Sequence, residues 1–160
     1  MSDLANFTTV IVSVLQTILI IVTIFYTRYH FKLERAASYI ARFNSEDMIR
    51  NRAVVENWLS GESSDEEKIK KLTDDTELAI RVYTFINLFQ EIGVAYRSRM
   101  IHRSSAEGYY SYLIINYWRR IQFLIEWRRR KEERSTLYEG FQFLAETLAE
   151  KTGTKSKAKI

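Results

Sequence analysis

The chain has 160 residues, with no cysteine, no proline and five glycines, and its 24 basic and 20 acidic side chains give a formal net charge of +4. That length fits one modest domain plus whatever the ends add. Absent cysteine excludes disulfides, thiolate nucleophiles and cysteine metal sites; absent proline is what a nearly all-helical chain shows, because proline lacks a backbone donor and stops helices.

The N-terminal segment departs from the whole-chain mean hydropathy of −0.25. Residues 4–27 carry no charged side chain, and the stretch from Val10 to Tyr26 is almost wholly aliphatic. Roughly 20 apolar residues cross a ~30 Å hydrocarbon layer as a helix, which predicts a transmembrane helix over about residues 5–27. A cleaved signal peptide needs basic residues before the apolar run and a small-x-small site after it. Met1-Ser2-Asp3 and Tyr26-Thr27-Arg28-Tyr29 supply neither. Arg28, Lys32, Arg35 and Arg42 follow the span, and Asp3 precedes it. This asymmetry predicts a single pass, N-terminus outside and the rest cytoplasmic. At 100° per residue, Thr9, Ser13, Gln16, Thr17 and Thr23 share about a third of the helix circumference. An amide in mid-bilayer is costly against lipid and cheap against another helix. The stripe therefore points to self-association; the plainer alternative is a monomeric anchor that tolerates one glutamine.

Beyond the span the expected fold class is all-α: one N-terminal transmembrane helix followed by a cytoplasmic domain of about five helices. The membrane helix continues to about Arg42, giving an N-terminal unit over 1–42 and a helical domain over 43–152. Asn44-Ser45-Glu46-Asp47 reads as a helix start, with acids in the first turn, and that helix stops near Gly61. Ser64-Asp65-Glu66-Glu67 is a capping box. Thr73-Asp74-Asp75 opens a longer helix bearing Leu78, Val82, Phe85, Ile86 and Phe89 at helical spacing. Ser104-Ser105-Ala106-Glu107 has the form of a second capping box, ahead of a helix over 109–130. Ser135-Thr136 is the expected start of a last helix carrying Leu137, Phe141, Leu144, Ala145 and Leu148. Lys155, Lys157 and Lys159 form a basic tail over 153–160 that is expected to be disordered.

Charge is segregated along the domain. Residues 44–93 hold 11 acids against 6 bases, whereas residues 97–134 hold 10 bases against 4 acids, and nine of those ten bases are arginine. Tyrosines and an amide are interleaved with them. Guanidinium groups fork onto phosphate, flat rings stack on bases and amides read base edges. The candidate ligand-binding set is therefore Arg97, Arg99, His102, Arg103, Tyr109, Tyr112, Asn116, Arg119 and Arg120. The competing readings are structural. Tyr109, Leu113, Trp118 and Phe123 can be core. Arg128-Arg129-Arg130 can be a solvated face or a patch against anionic headgroups. Any of the arginines can pair with the acidic helices. No catalytic, metal or cofactor pattern is present: His30 and His102 are far apart in sequence, no phosphate-binding glycine loop follows a strand, and no nucleophile elbow occurs. A ribonuclease with His102 as base is the remaining enzymatic reading, and the expectation is no enzyme and no cofactor.

Three segments carry a resemblance. Phe85-Ile86-Asn87-Leu88-Phe89-Gln90-Glu91-Ile92-Gly93-Val94-Ala95-Tyr96, then Tyr112-Leu113-Ile114-Ile115-Asn116-Tyr117-Trp118, then Leu137-Tyr138-Glu139-Gly140-Phe141 with Leu144-Ala145 resemble, in order and spacing, a bacterial family of small proteins. That family has one N-terminal membrane helix and a helical cytoplasmic domain of unknown function. The quoted motifs are mostly packing residues, and Asn116 stands where the family has arginine. The layout also resembles the membrane effectors of type III CRISPR systems. This second resemblance implies binding of cyclic tetra-adenylate by a cytoplasmic homotetramer, with perturbation of the membrane in antiviral defence. Expected partners are then other copies of the chain, the membrane and an anionic nucleotide, with no duplex nucleic acid. The alternative function is a non-enzymatic membrane-anchored scaffold that docks an acidic protein partner or anionic lipid through the same basic face.

Overall fold

The structure, a computed structural model, describes residues 2–153, together with the side chains of Phe7 and of residues 10–153. Its elements are α1 (Ser2–Phe43), α2 (Glu46–Ser60), α3 (Asp65–Asp74), α4 (Thr76–Arg97), α5 (Arg103–Lys131) and α6 (Glu139–Lys151), with no strand among the described residues. The protein is all-α. The lysine tail beyond Gly153 lies outside the described residues.

Three helix starts follow local capping chemistry. The Ser45 hydroxyl accepts from the Met48 N–H at 3.4 Å. Ser64 and Glu67 form a reciprocal capping box. Asp75 ends α3 and accepts from the Leu78 N–H at 3.0 Å to open α4. Each satisfies an orphan donor of a first turn.

The other two starts differ from the expectation. Helix α5 begins at Arg103 after His102, with no side-chain cap hydrogen bond. Glu107 does not close a box with Ser104; it accepts from the Tyr96 hydroxyl and from Lys151. Two long-range partners outcompete one local amide. Helix α6 begins at Glu139, not at Ser135-Thr136, because residues 135–138 form turns and Tyr138 adopts a left-handed conformation (φ 59°). The cap comes from another helix: Gln90 Oε1 on α4 accepts from the Phe141 N–H at 2.9 Å.

The core lies among α4, α5 and α6, with α2 against α4. Phe85, Ile86, Phe89 and Ile92 of α4 meet Ile114, Tyr117, Ile121 and Leu124 of α5 and Phe141, Leu144 and Leu148 of α6, all buried. The rings interlock, with Phe89 stacked on Phe141 at 5.1 Å and Phe85 edge-on to Tyr117 at 4.7 Å, arrangements that add to plain area burial. On α5 the buried face is offset from the expected one. Tyr110, Ile114 and Tyr117 point inward, whereas Tyr109 is exposed and Leu113, Trp118 and Phe123 are half-buried. The Tyr110 hydroxyl is buried with no hydrogen-bond partner among the described residues.

Helices α4 and α6 cross with their backbones nearly touching. A Cβ added at Gly93 would lie 2.0 Å from the Gly140 carbonyl oxygen. That contact explains glycine inside α4, where it costs helix stability.

Helix α1 continues without Gly or Pro from the apolar segment into this core. Its apolar stretch is unburied and long enough to cross a membrane, while Ala36 and Phe43 are buried in the domain. Phe43 meets Phe85 and Phe89 at about 6 Å and Tyr110 at 5.8 Å between ring centroids. The Lys32 carbonyl accepts from the His102 N–H at 3.1 Å, tying α1 to the start of α5.

The two helical glycines of α4 and α5 are expected to respond oppositely. Gly93→Ala forces the α4–α6 crossing apart and destabilises by about 3 kcal/mol or more. Gly108→Ala, with open space around the new methyl, stabilises by roughly 0.5–1 kcal/mol through helix propensity. Thermal or denaturant unfolding of both variants checks the pair.

Candidate functional site on the outward face of α5

The nine expected ligand residues do not converge on one site. Most of the arginines are turned to carboxylates or rings within the chain. Arg97 pairs with Glu139 at 2.7 Å and covers the Phe143 ring. Arg120 pairs with Glu56 at 2.7 Å. Arg103 lies over the Tyr96 ring, 4.9 Å from its centroid. His102 Nδ1 is 2.9 Å from the Ser105 hydroxyl, and its ring stands edge-on to Tyr29. The Tyr109 hydroxyl exchanges hydrogen bonds with the Asn44 amide. Arg99 lies in the turn after α4, beside α1.

Tyr112, Asn116 and Arg119 remain. They follow one another at i, i+4 and i+7 and so share one side of α5. Tyr112 is 79% exposed, Arg119 is exposed and Asn116 half-buried. None has a hydrogen bond or ion pair within the described residues. An aromatic face, an amide and a guanidinium are thus presented in line, with Gly108 one turn before them keeping the surface open.

Beneath this row, Glu56 ties α2 to α5. Burial opposes its charge, but the Tyr117 hydroxyl and the Arg120 guanidinium hold its carboxyl below the ordinary carboxylate range. Burial, with Glu56 alongside, pushes the Tyr117 phenol up, so it stays a donor. Glu107 behaves likewise: burial is outweighed by Lys151 and the Tyr96 hydroxyl, and its carboxyl is held low.

Two arginines of the run at the end of α5, Arg128 and Arg129, have structural partners, whereas Arg130 is exposed. Arg128 donates to the Tyr138 hydroxyl at 2.7 Å, pairs with Glu132 and lies 4.4 Å from the Tyr83 ring centroid. Arg129 donates to the Leu137 carbonyl at 2.8 Å and to Gln142 at 2.9 Å. Together they hold the left-handed Tyr138 and the α5–α6 connection. Arg128 is 26 residues beyond His102, about 39 Å along the helix from where α5 meets α1.

On α1, Thr17 and Thr23 donate to the carbonyls of Ser13 and Leu19, at 2.9 and 2.8 Å. Such back-bonding makes hydroxyls tolerable in lipid. Gln16 is exposed and has no hydrogen bond within the described residues. Thr9 is among the residues whose side chains are not described.

Fold and surface define an all-helical domain carried on a long apolar N-terminal helix. The chain belongs to the family described as a domain of unknown function (DUF4760), whose model matches residues 9–148. Neither the curated proteins nor the solved structures contain a match.

The depressed Glu56 carboxyl fixes the sign of one pH effect. A carboxyl whose folded pKa lies below its unfolded value contributes stability at neutral pH, and this is lost as pH falls through the folded value. Glu56→Gln is expected to lower the melting temperature at pH 7. The gap to wild type should close as pH falls below the ordinary carboxylate range; a gap unchanged in acid would contradict the assignment.

Proposed function

We propose that the protein is a single-pass inner-membrane receptor, N-terminus outside. On this reading its cytoplasmic domain binds an anionic nucleotide on the outward face of α5 and passes the signal to the membrane helix. The observation that carries the reading is the unpartnered row Tyr112–Asn116–Arg119: a ring to stack on a base, an amide for its edge and a guanidinium for phosphate. The face is open in one protomer, so a bound nucleotide needs more than one copy to enclose it. Cyclic tetra-adenylate repeats the same base and phosphate four times, and a cyclic homotetramer offers each repeat the same three side chains. Gln16 supports self-association, since an amide without an intrachain partner in the bilayer is best satisfied by a neighbouring span. The basic residues 28–42 after the span, against Asp3 before it, support the orientation. The continuous α1 supports coupling, provided the ligand prefers one packing of the bundle over another. Antiviral signalling is the setting that the ligand implies, and no catalysis is assigned.

The second reading is a scaffold that docks an acidic protein partner on the same face. It is favoured by the openness of that face, with the exposed Tyr112 on it.

Calorimetry of the full chain in detergent micelles with cyclic tetra-adenylate separates the two. The receptor reading expects a Kd of about 1 μM or tighter. Asn116→Ala and Arg119→Ala should each weaken binding by about ten-fold or more, and a ring of different size should bind worse. No heat at high ligand concentration, or weak binding that fades smoothly with salt and ignores ring size, would overturn it.

A further inference from the structure

Four cations without carboxylate partners among the described residues gather where α1 leaves its apolar stretch. Arg28, Phe31, Lys32 and Arg35 of α1 and Arg99 and Met100 of the α4–α5 turn line a groove of about 500 Å³. No carboxylate lines it. Four cations therefore converge with no counter-charge lining the groove among the described residues, an arrangement that attracts an anion.

Arg99 is the informative member. The Arg99 N–H donates to the Tyr96 carbonyl at 3.1 Å and the Met100 N–H to the Ala95 carbonyl at 2.8 Å. These are the bonds of a Schellman helix end, whose left-handed residue is usually glycine. Here that residue is arginine, at φ 55°, where a side chain carries a strain that glycine avoids. The turn is tied to α1 by the bond from the His102 N–H to the Lys32 carbonyl, next to the buried Ile101. A strained arginine is thus fixed beside three juxtamembrane cations from a distant part of the chain.

Position selects the anion. Arg28 is the first charged residue after the uncharged run, and Lys32 and Arg35 lie about 6 and 10 Å further along the helix axis. The phosphate layer of a leaflet begins where the hydrocarbon ends and is several ångströms deep. Phe31 and Met100 give the groove apolar surface among the cations. We propose that this groove binds the phosphodiester headgroup of an anionic phospholipid, with Arg99 as the residue that turns a general basic collar into a site. The proposal does not depend on what α5 binds.

The test is native mass spectrometry of the full chain released from nanodiscs of equal phosphatidylglycerol and phosphatidylcholine. Wild type is expected to retain phosphatidylglycerol preferentially. Arg99→Gly should reduce that retention about five-fold while leaving the melting temperature unchanged or raised, since it relieves the left-handed strain. Arg28→Ala should reduce retention similarly. Arg134→Ala, which removes the same charge beyond the far end of α5, should not. No preference in wild type, an equal loss in Arg134→Ala, or displacement of the lipid by millimolar inorganic phosphate would overturn the proposal, the last by making the groove a free-phosphate site.

Discussion

Phe43, the last residue of α1, is buried against Phe85, Phe89 and Tyr110, and the rest of the molecule is arranged around that insertion. Burying a phenyl group contributes roughly 1.5–3 kcal/mol. It also fixes where the helix that begins with the long apolar stretch must end. No glycine or proline occurs before Gly61, so no flexible joint separates the long apolar segment from the domain. The orientation of the domain is set by one rigid rod, docked at Ala36 and Phe43 and tied at Lys32 to the start of α5. Helices α4 and α5 supply the aromatic wall, and α6 closes it through the glycine crossing.

The same packing decides what the charges do. Acidic α2 and basic α5 lie close enough for Glu56 to take Arg120, and Glu139 at the start of α6 takes Arg97. Arg128 and Arg129 are bound up in the α5–α6 connection. A +6 stretch of sequence thus becomes a surface with few free cations in its middle. Exposed ion pairs of this kind add little stability individually; their larger effect is to leave Tyr112, Asn116 and Arg119 as the row on α5 that packing does not use. A further cluster of four cations without carboxylate partners lies where α1 leaves its apolar stretch.

Much of the fold was legible because its signals are local. Ser45, Ser64 and Asp75 cap the helices that follow them, and the spacing of Val82, Phe85, Ile86 and Phe89 marks the buried face of α4. Two starts were misread because the deciding partner is remote. Glu107 turns to Lys151, 44 residues away, and α6 is capped by Gln90, 51 residues before Phe141. No window of sequence contains both members of either pair. The site was less legible for the same reason. Which arginine faces solvent depends on which carboxylate folds opposite it, and a run of arginines looks alike before Glu56, Glu132 and Glu139 are placed. Arg28, Lys32 and Arg35 were visible as a basic collar, but their meeting with Arg99 depends on the α4–α5 turn folding back onto α1.

The central claim is that the apolar helix and the domain form one rigid unit through residues 28–43. Hydrogen exchange of the full chain in nanodiscs tests it directly. Amides 32–43 are expected to be protected to the same degree as those of α4, because the helix carrying them is docked in the core. Rapid exchange across 28–40, with protection resuming only beyond Phe43, would reveal a flexible joint and contradict it.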